Sequence, residues 1–147
     1  MVNVQTGRSK LAVNYMAGEQ FIGWAPRGSE ILFTSARAGT TDLWSLAVDG
    51  VEPKGSPKLL KANLGEIKPI GIANNGAFFY RTGVGTWSDL YVTSVDFRGG
   101  KVLSAPKFLR TLFHPQRNAN IHLSKDSKFL FFCSGNPEPV AYMLDIV

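Results

Sequence analysis

"WAPRGSEILFTS", residues 24–35, is the stretch on which the fold is decided. Trp24 is followed by a turn at Pro26, Arg27 and Gly28, and the turn by an apolar run, residues 31–33, that closes on Thr34 and Ser35. Proline presets the first turn dihedral and glycine enters φ > 0 cheaply, so the segment predicts a reversal feeding a short strand. Two looser versions follow. "GWAPRGSEILFTS" from Gly23 aligns with "GIANNGAFFYRTG" from Gly71 and with "HLSKDSKFLFFCS" from His122.

The agreement extends past the hairpin. Each version leads through a loop to a third element, "TDLWSLAVD" from Thr41, "SDLYVTSVD" from Ser88 and "EPVAYMLDI" from Glu138, which puts Trp44, Tyr91 and Tyr142 at equivalent places, 47 and then 51 residues apart. A further element separates the units: "SKLAVNY" from Ser9, "PKLLKAN" from Pro57 and "PKFLRTL" from Pro106. Three units result, approximately 10–57, 58–106 and 107–147. Strands are expected near 21–25, 30–35, 42–48 and 58–62, near 69–73, 77–82, 89–95 and 107–112, and near 119–123, 128–134 and 140–146. No helical period longer than two turns competes, so the fold class is all-β. Along the third strand Leu43, Ser45 and Ala47 share one face, and Asp42, Trp44, Leu46 and Val48 the other. Both faces carry apolar side chains, and such a sheet needs neighbours on both sides, as in a stacked or radial blade.

"WAPRGSEILFTSARAGTTDLWSLAVDG" resembles the WD40-like repeat of the TolB C-terminal β-propeller, whose usual form is an aromatic residue, Ser-Pro-Asp-Gly, a strand, Ser-Asp-Arg, Asp-Leu/Ile-Tyr/Trp and a closing Asp-Gly. Pro26 and Gly28 match the turn, Ser35, Ala36 and Arg37 stand for Ser-Asp-Arg, and Asp42, Leu43, Trp44, Asp49 and Gly50 supply the rest. Asn75, Gly76, Asp89, Leu90, Tyr91 and Asp96 remain in the second unit, and Ser124, Asp126 and Tyr142 in the third. Arg27 replaces the turn aspartate, and Asn136, Pro137 and Glu138 depart from the pattern. The resemblance implies three four-stranded antiparallel blades of a β-propeller. These would be half of a six-bladed ring, completed by a second chain or by sequence outside this one. It specifies a blade rather than an activity.

Composition agrees with a folded, strand-rich chain: 147 residues, 44% apolar and 18% charged. No continuous apolar run approaches membrane-spanning length, and "MVNVQTGRSK" lacks the apolar core of a secretory leader. A soluble chain is expected, periplasmic if a leader was removed and otherwise cytoplasmic. The net charge of +5 gathers partly near the unit-joining strands, in Lys54, Lys58, Lys61 and Lys68, then Lys101, Lys107, Arg110 and Arg117. Solubility and protection of strand edges account for it better than nucleic-acid binding, because no recognised nucleic-acid-binding organisation accompanies it.

Chemistry-bearing residues are sparse. His114 and His122 are the only histidines, and with Cys133 they supply too few soft ligands for a closed zinc site. Cys133, between apolar neighbours in "FLFFCSG", is expected to be a buried, inert thiol. Ser104, Ser124 and Ser134 lack a nucleophile elbow. "RTGVGTW" from Arg81 lacks the ending of a phosphate loop and reads as a connection between strands. Asp42, Asp89 and Asp96 follow the repeat and read as local turn and strand-end acceptors. Phe78, Phe79, Tyr80, Phe129, Phe131 and Phe132 read as core. No catalytic residue, metal ligand or cofactor is assigned.

What the resemblance implies is a non-catalytic interaction or scaffold module with its partner surface on strand-connecting loops. Two alternatives stand beside it: an accessory or substrate-gating propeller domain of a larger hydrolase or peptidase, and an enzyme with a channel-centred site. Three blades alone would leave apolar end faces, which a closed twofold assembly would cover. The expected partner is therefore a second copy, with residues 8–13 of each chain pairing as the missing outer strand beside residues 142–146 of the other.

Overall fold

The computed structural model describes residues 1–15, 18–26, 28–83, 87–97, 99–113, 121–135, 138 and 140–146. Among them every regular element is a strand. The first hairpin is β1 (Gln20–Trp24) and β2 (Glu30–Ser35), followed by β3 (Asp42–Asp49) and β4 (Glu52–Lys61). The second group is β5 (Lys68–Ile72), β6 (Ala77–Thr82), β7 (Trp87–Asp96), β8 (Lys101–Val102) and β9 (Lys107–Phe113), and the third is β10 (His122–Leu123), β11 (Phe129–Ser134) and β12 (Val140–Asp145). They form three antiparallel sheets of four, five and three strands.

The three hairpins close with the same hydrogen bonds. Gly28, Gly76 and Ser127 have φ of 71°, 86° and 61°, and their amides donate to the carbonyls of Ala25, Ala73 and Ser124. The amides of Ala25, Ala73 and Ser124 in turn donate to Glu30, Ala77 and Phe129, and those of Val48, Val95 and Ile146 reach back to Ser29, Gly76 and Lys128. Each sheet also sets an equivalent aromatic pair in cross-strand register between its second and third strands: Phe33 opposite Trp44, Tyr80 opposite Tyr91 and Phe132 opposite Tyr142. The face bearing that pair is called the front of each sheet, and the opposite face its rear.

Alternation then sets the packing. The rear of the first sheet, with Leu32 and Leu43, meets Phe78, Tyr80 and Val95 on the front of the second. The rear of the second, with Phe79, Leu90 and Leu112, meets Leu130 and Phe132 on the front of the third. The first strands stand next to one another at these joints. Gly23 of β1 leaves room for Ile72 of β5, and Gly71 of β5 leaves the same room for Leu123 of β10. Leu32, Leu43, Leu90, Leu112 and Leu130 are fully buried, and each such leucine contributes about 2 kcal/mol by leaving water. The exposed ion pair of Lys54 with Asp49 contributes less than about 1 kcal/mol. The layers between sheets, rather than surface charges, hold the molecule together.

Several expectations need correction. Cys133 is exposed rather than buried, because β11 sends Leu130 and Phe132 to the packed front and Phe131 and Cys133 to a rear with no sheet behind it. Phe131, expected in the core, is 48% exposed for the same reason. The expected strand at 58–62 begins earlier, at Glu52, because a tight turn at Gly50 and Val51 leads straight back along β3. Residues 10–15 form no strand. The N-terminal segment makes one bridge, Val2 to Ser9, and sets Met1, Ala12 and Val13 against Ile31, Phe33, Leu46 and Val48 on the front of the first sheet. The first part of the expected strand at 119–123 lies outside the described residues.

Candidate functional site

Of the residues that carry chemistry in the sequence, most have local structural work. Asp42 is buried, and its Oδ1 accepts from the Thr40 hydroxyl at 2.6 Å and the Asn63 amide at 2.8 Å, tying the end of β4 to the start of β3. Asp89 accepts from the Thr111 hydroxyl at 2.8 Å, and Asp96 from the Gly99 amide at 3.0 Å. Ser104 holds the bend between β8 and β9. Its carbonyl accepts from the Thr93 hydroxyl at 2.7 Å and its Oγ from the Ser94 amide at 3.1 Å. Ser124 donates to Asp126 at 2.6 Å and accepts from the Phe129 amide at 3.0 Å. The hydroxyl of Ser124, then the Lys128 amide, hold the Asp126 carboxyl below its ordinary value.

The structure does not bring the remaining candidates together. His122 is exposed at the start of β10, Cys133 is exposed on β11, and the two lie on the same rear face. His114 and Arg117 lie outside the described residues, as do Arg27, residues 84–86 of the "RTGVGTW" loop, Asn136 and Pro137. Among the described residues, no three of His, Cys, Asp and Glu gather in a group able to hold a metal. Of the basic residues, Arg110 stacks across the joint over the rings of Phe132 and Tyr142, at 5.6 and 5.3 Å.

Two surfaces have the shape of recognition sites. At the hairpin-turn end, the β1–β2 turn, the β5–β6 turn and the loop after β7 enclose a cleft of about 470 Å³. Glu30, Asn74, Asn75 and Asp96 line it beside Phe97 and Leu103. The Asn74 amide also donates to Ser127 Oγ at 3.0 Å, so this end of the second sheet is tied to the third. The second surface lies on the front of the first sheet, where the N-terminal segment roofs an apolar groove of about 700 Å³ floored by Ile31 and Phe33 and edged by Phe21 and Trp24. Trp24 is 47% exposed and Phe21 61%. Beside the groove Arg37 closes the aromatic pair. Its guanidinium lies 5.2, 5.2 and 5.0 Å from the rings of Tyr15, Phe33 and Trp44, donates to Ser35 Oγ at 3.1 Å and pairs with Glu19 at 3.5 Å.

Sequence reasoning expected a partner surface on the strand-connecting loops and apolar end faces but named no residue of either site, because each depends on which loops and which sheet face meet in space. Trp24 carried a signal nonetheless: it is the first-unit equivalent of Ile72 and Leu123, and only they have a glycine of the preceding sheet to lie against. A comparison with protein-family models finds no match to this chain, and a comparison with curated proteins finds none either.

Proposed function

We propose that the chain is a non-catalytic binding module built as half of a TolB-like β-propeller, in which two copies form a six-bladed ring and the turn-end loops carry the partner surface. One observation carries this reading. The two joints inside the chain use the same positions, rear glycine against front aliphatic residue; at the two ends the equivalent positions are Trp24, on a front partly covered by the N-terminal segment, and His122, on a rear that no sheet of the described residues covers. Trp24 lies ready on the front of the first sheet, and Phe131 and Met143, 48% and 59% exposed, lie side by side on the rear of the third. The front of one copy and the rear of another would thus meet at the positions the chain already uses twice, with Trp24 in place of the aliphatic residue and His122 in place of the glycine. Residues 8–13, whose Ala12 and Val13 cover that front within one chain, would leave it to pair as an outer strand beside residues 142–146 of the second copy. The cleft framed by Asn74, Asn75 and Asp96 is the surface offered to a different protein.

Size-exclusion chromatography with light scattering tests the assembly. The expected mass is twice the 16.1 kDa of one chain, and Trp24→Ala with Phe131→Ala should shift it toward one. A monomer at every concentration overturns the twofold reading.

A further inference from the structure

A third cavity, of about 390 Å³, lies where the starts of β1, β5 and β10 approach one another, and among the described residues no carboxylate lines it. Its polar side chains are Gln20, Lys68, Arg81 and His122, set among apolar walls that include Phe21 and Ile121. Lys68 and Arg81 are directly opposite in the β5–β6 register, so their Cβ atoms are about 5 Å apart and their charges oppose each other. Among the described residues neither forms an ion pair. Arg81 has one neutral partner, donating to Ser88 Oγ at 3.3 Å, and its burial lowers its pKa.

The fold does not require cations there. In the first sheet the equivalent cross-strand place holds Gln20 opposite Thr34, two neutral side chains on a hairpin of the same construction. The second sheet therefore places two like charges side by side, one of them half-buried, at a cavity that the His122 imidazole of another sheet also lines. Like charges so placed are stabilised by an anion between them, and a guanidinium presents paired donors to an oxyanion.

We propose that this cavity is a binding site for a small organic oxyanion, a carboxylate or phosphate, gripped by Arg81 and Lys68, with His122 and Gln20 completing the polar wall. The apolar walls would take the body of the ligand. The site is contained in one chain, and Lys68 and Arg81, on which its test rests, belong to the inner β5–β6 hairpin rather than to the proposed twofold contact.

Calorimetric titration of the full chain with succinate and, separately, inorganic phosphate tests it. Saturable binding of either at millimolar concentration or below is expected, and which one binds identifies the source of the oxyanion. Lys68→Gln and Arg81→Thr, which install the pair used by the first sheet, should each weaken binding about tenfold or more. Lys54→Gln, an exposed charge elsewhere, should leave it unchanged. The double variant should melt no lower than the unsubstituted chain without anion, and should lose the rise in melting temperature that the anion produces. No saturable binding of either anion, or binding indifferent to both substitutions, overturns the proposal.

Discussion

Gly76 shows how much one turn position can decide. Its φ is 86°, and a Cβ there would lie 2.8 Å from the Val95 carbonyl oxygen, the next position along the strand it pairs with. Gly28 has a similar φ of 71° but open space around it. Gly28→Ala should therefore cost about 1 kcal/mol, the backbone term alone, and Gly76→Ala clearly more, because backbone must also shift. Urea unfolding of the two variants checks the order. Asp126 gives a second expectation. Its carboxyl is held below the ordinary value by Ser124, so its contribution to stability is complete above that value and is lost as pH falls through the lowered one. Ser124→Ala should move the Asp126 titration upward, readable by carboxyl NMR. Such acceptors were legible in sequence, since an Asx or serine turn is a local matter. The exposure of Cys133 was not. Its apolar neighbours said strand, but which face had a sheet behind it is a property of the whole chain.

At the level of elements, the third-strand alternation and most hairpin strands could be read directly, because period two and turn chemistry act over a few residues. β2 and β6 begin and end where the sequence places them. The outer strands were harder. In the first sheet β4 runs unbroken from Glu52, with Gly55 at a φ of 71° where its register slips. In the second, the same course is cut into β8 and β9, which pair with opposite ends of β7 around the bend at Ser104. Pro57 and Pro106 stand at equivalent places, each just before the pairing with the third strand resumes at Lys58 and Lys107, where a missing amide donor is tolerated. The N-terminal segment was misread as a strand because its apolar residues match the joining element. In this chain they serve as a cover. Lys10 and Arg8 reach Glu52 at 3.0 and 3.8 Å from exposed positions, whereas Val13 packs on the front of the first sheet. Glu52→Gln should cost less than about 0.5 kcal/mol, and Val13→Ala about 1 kcal/mol. Amide exchange at residues 8–13 should quicken in the second variant and scarcely in the first.

For the molecule as a whole, the question is what lies against the rear of the third sheet. Cys133, Phe131 and Met143 share that face, since Phe131 is opposite Met143 and Cys133 opposite Ala141. At both inner joints the matching face is closed, with Leu32 fully buried and Phe79 3% exposed. The rear of the third sheet is thus the one of the three equivalent rear faces that no sheet of the described residues covers. The proposed ring would cover it with the Trp24 side of a second copy, which gives the single thiol a use as a reporter. Labelling of Cys133 by a thiol reagent should be fast in dilute solution and slow once the chain is concentrated enough to pair. Met143→Glu would place a charge in the middle of the covered face, where removal from water costs several kcal/mol, and should make labelling fast at every concentration. His122 stands at the position that glycine holds in the two inner joints, so Trp24 of the second copy would meet a larger neighbour than Ile72 or Leu123 does. His122→Gly should then alter the affinity of the copies while costing one chain about 1 kcal/mol or less, the backbone entropy of a glycine in a strand. Labelling that is equally fast in the original chain at all concentrations would mean that nothing closes this face in solution.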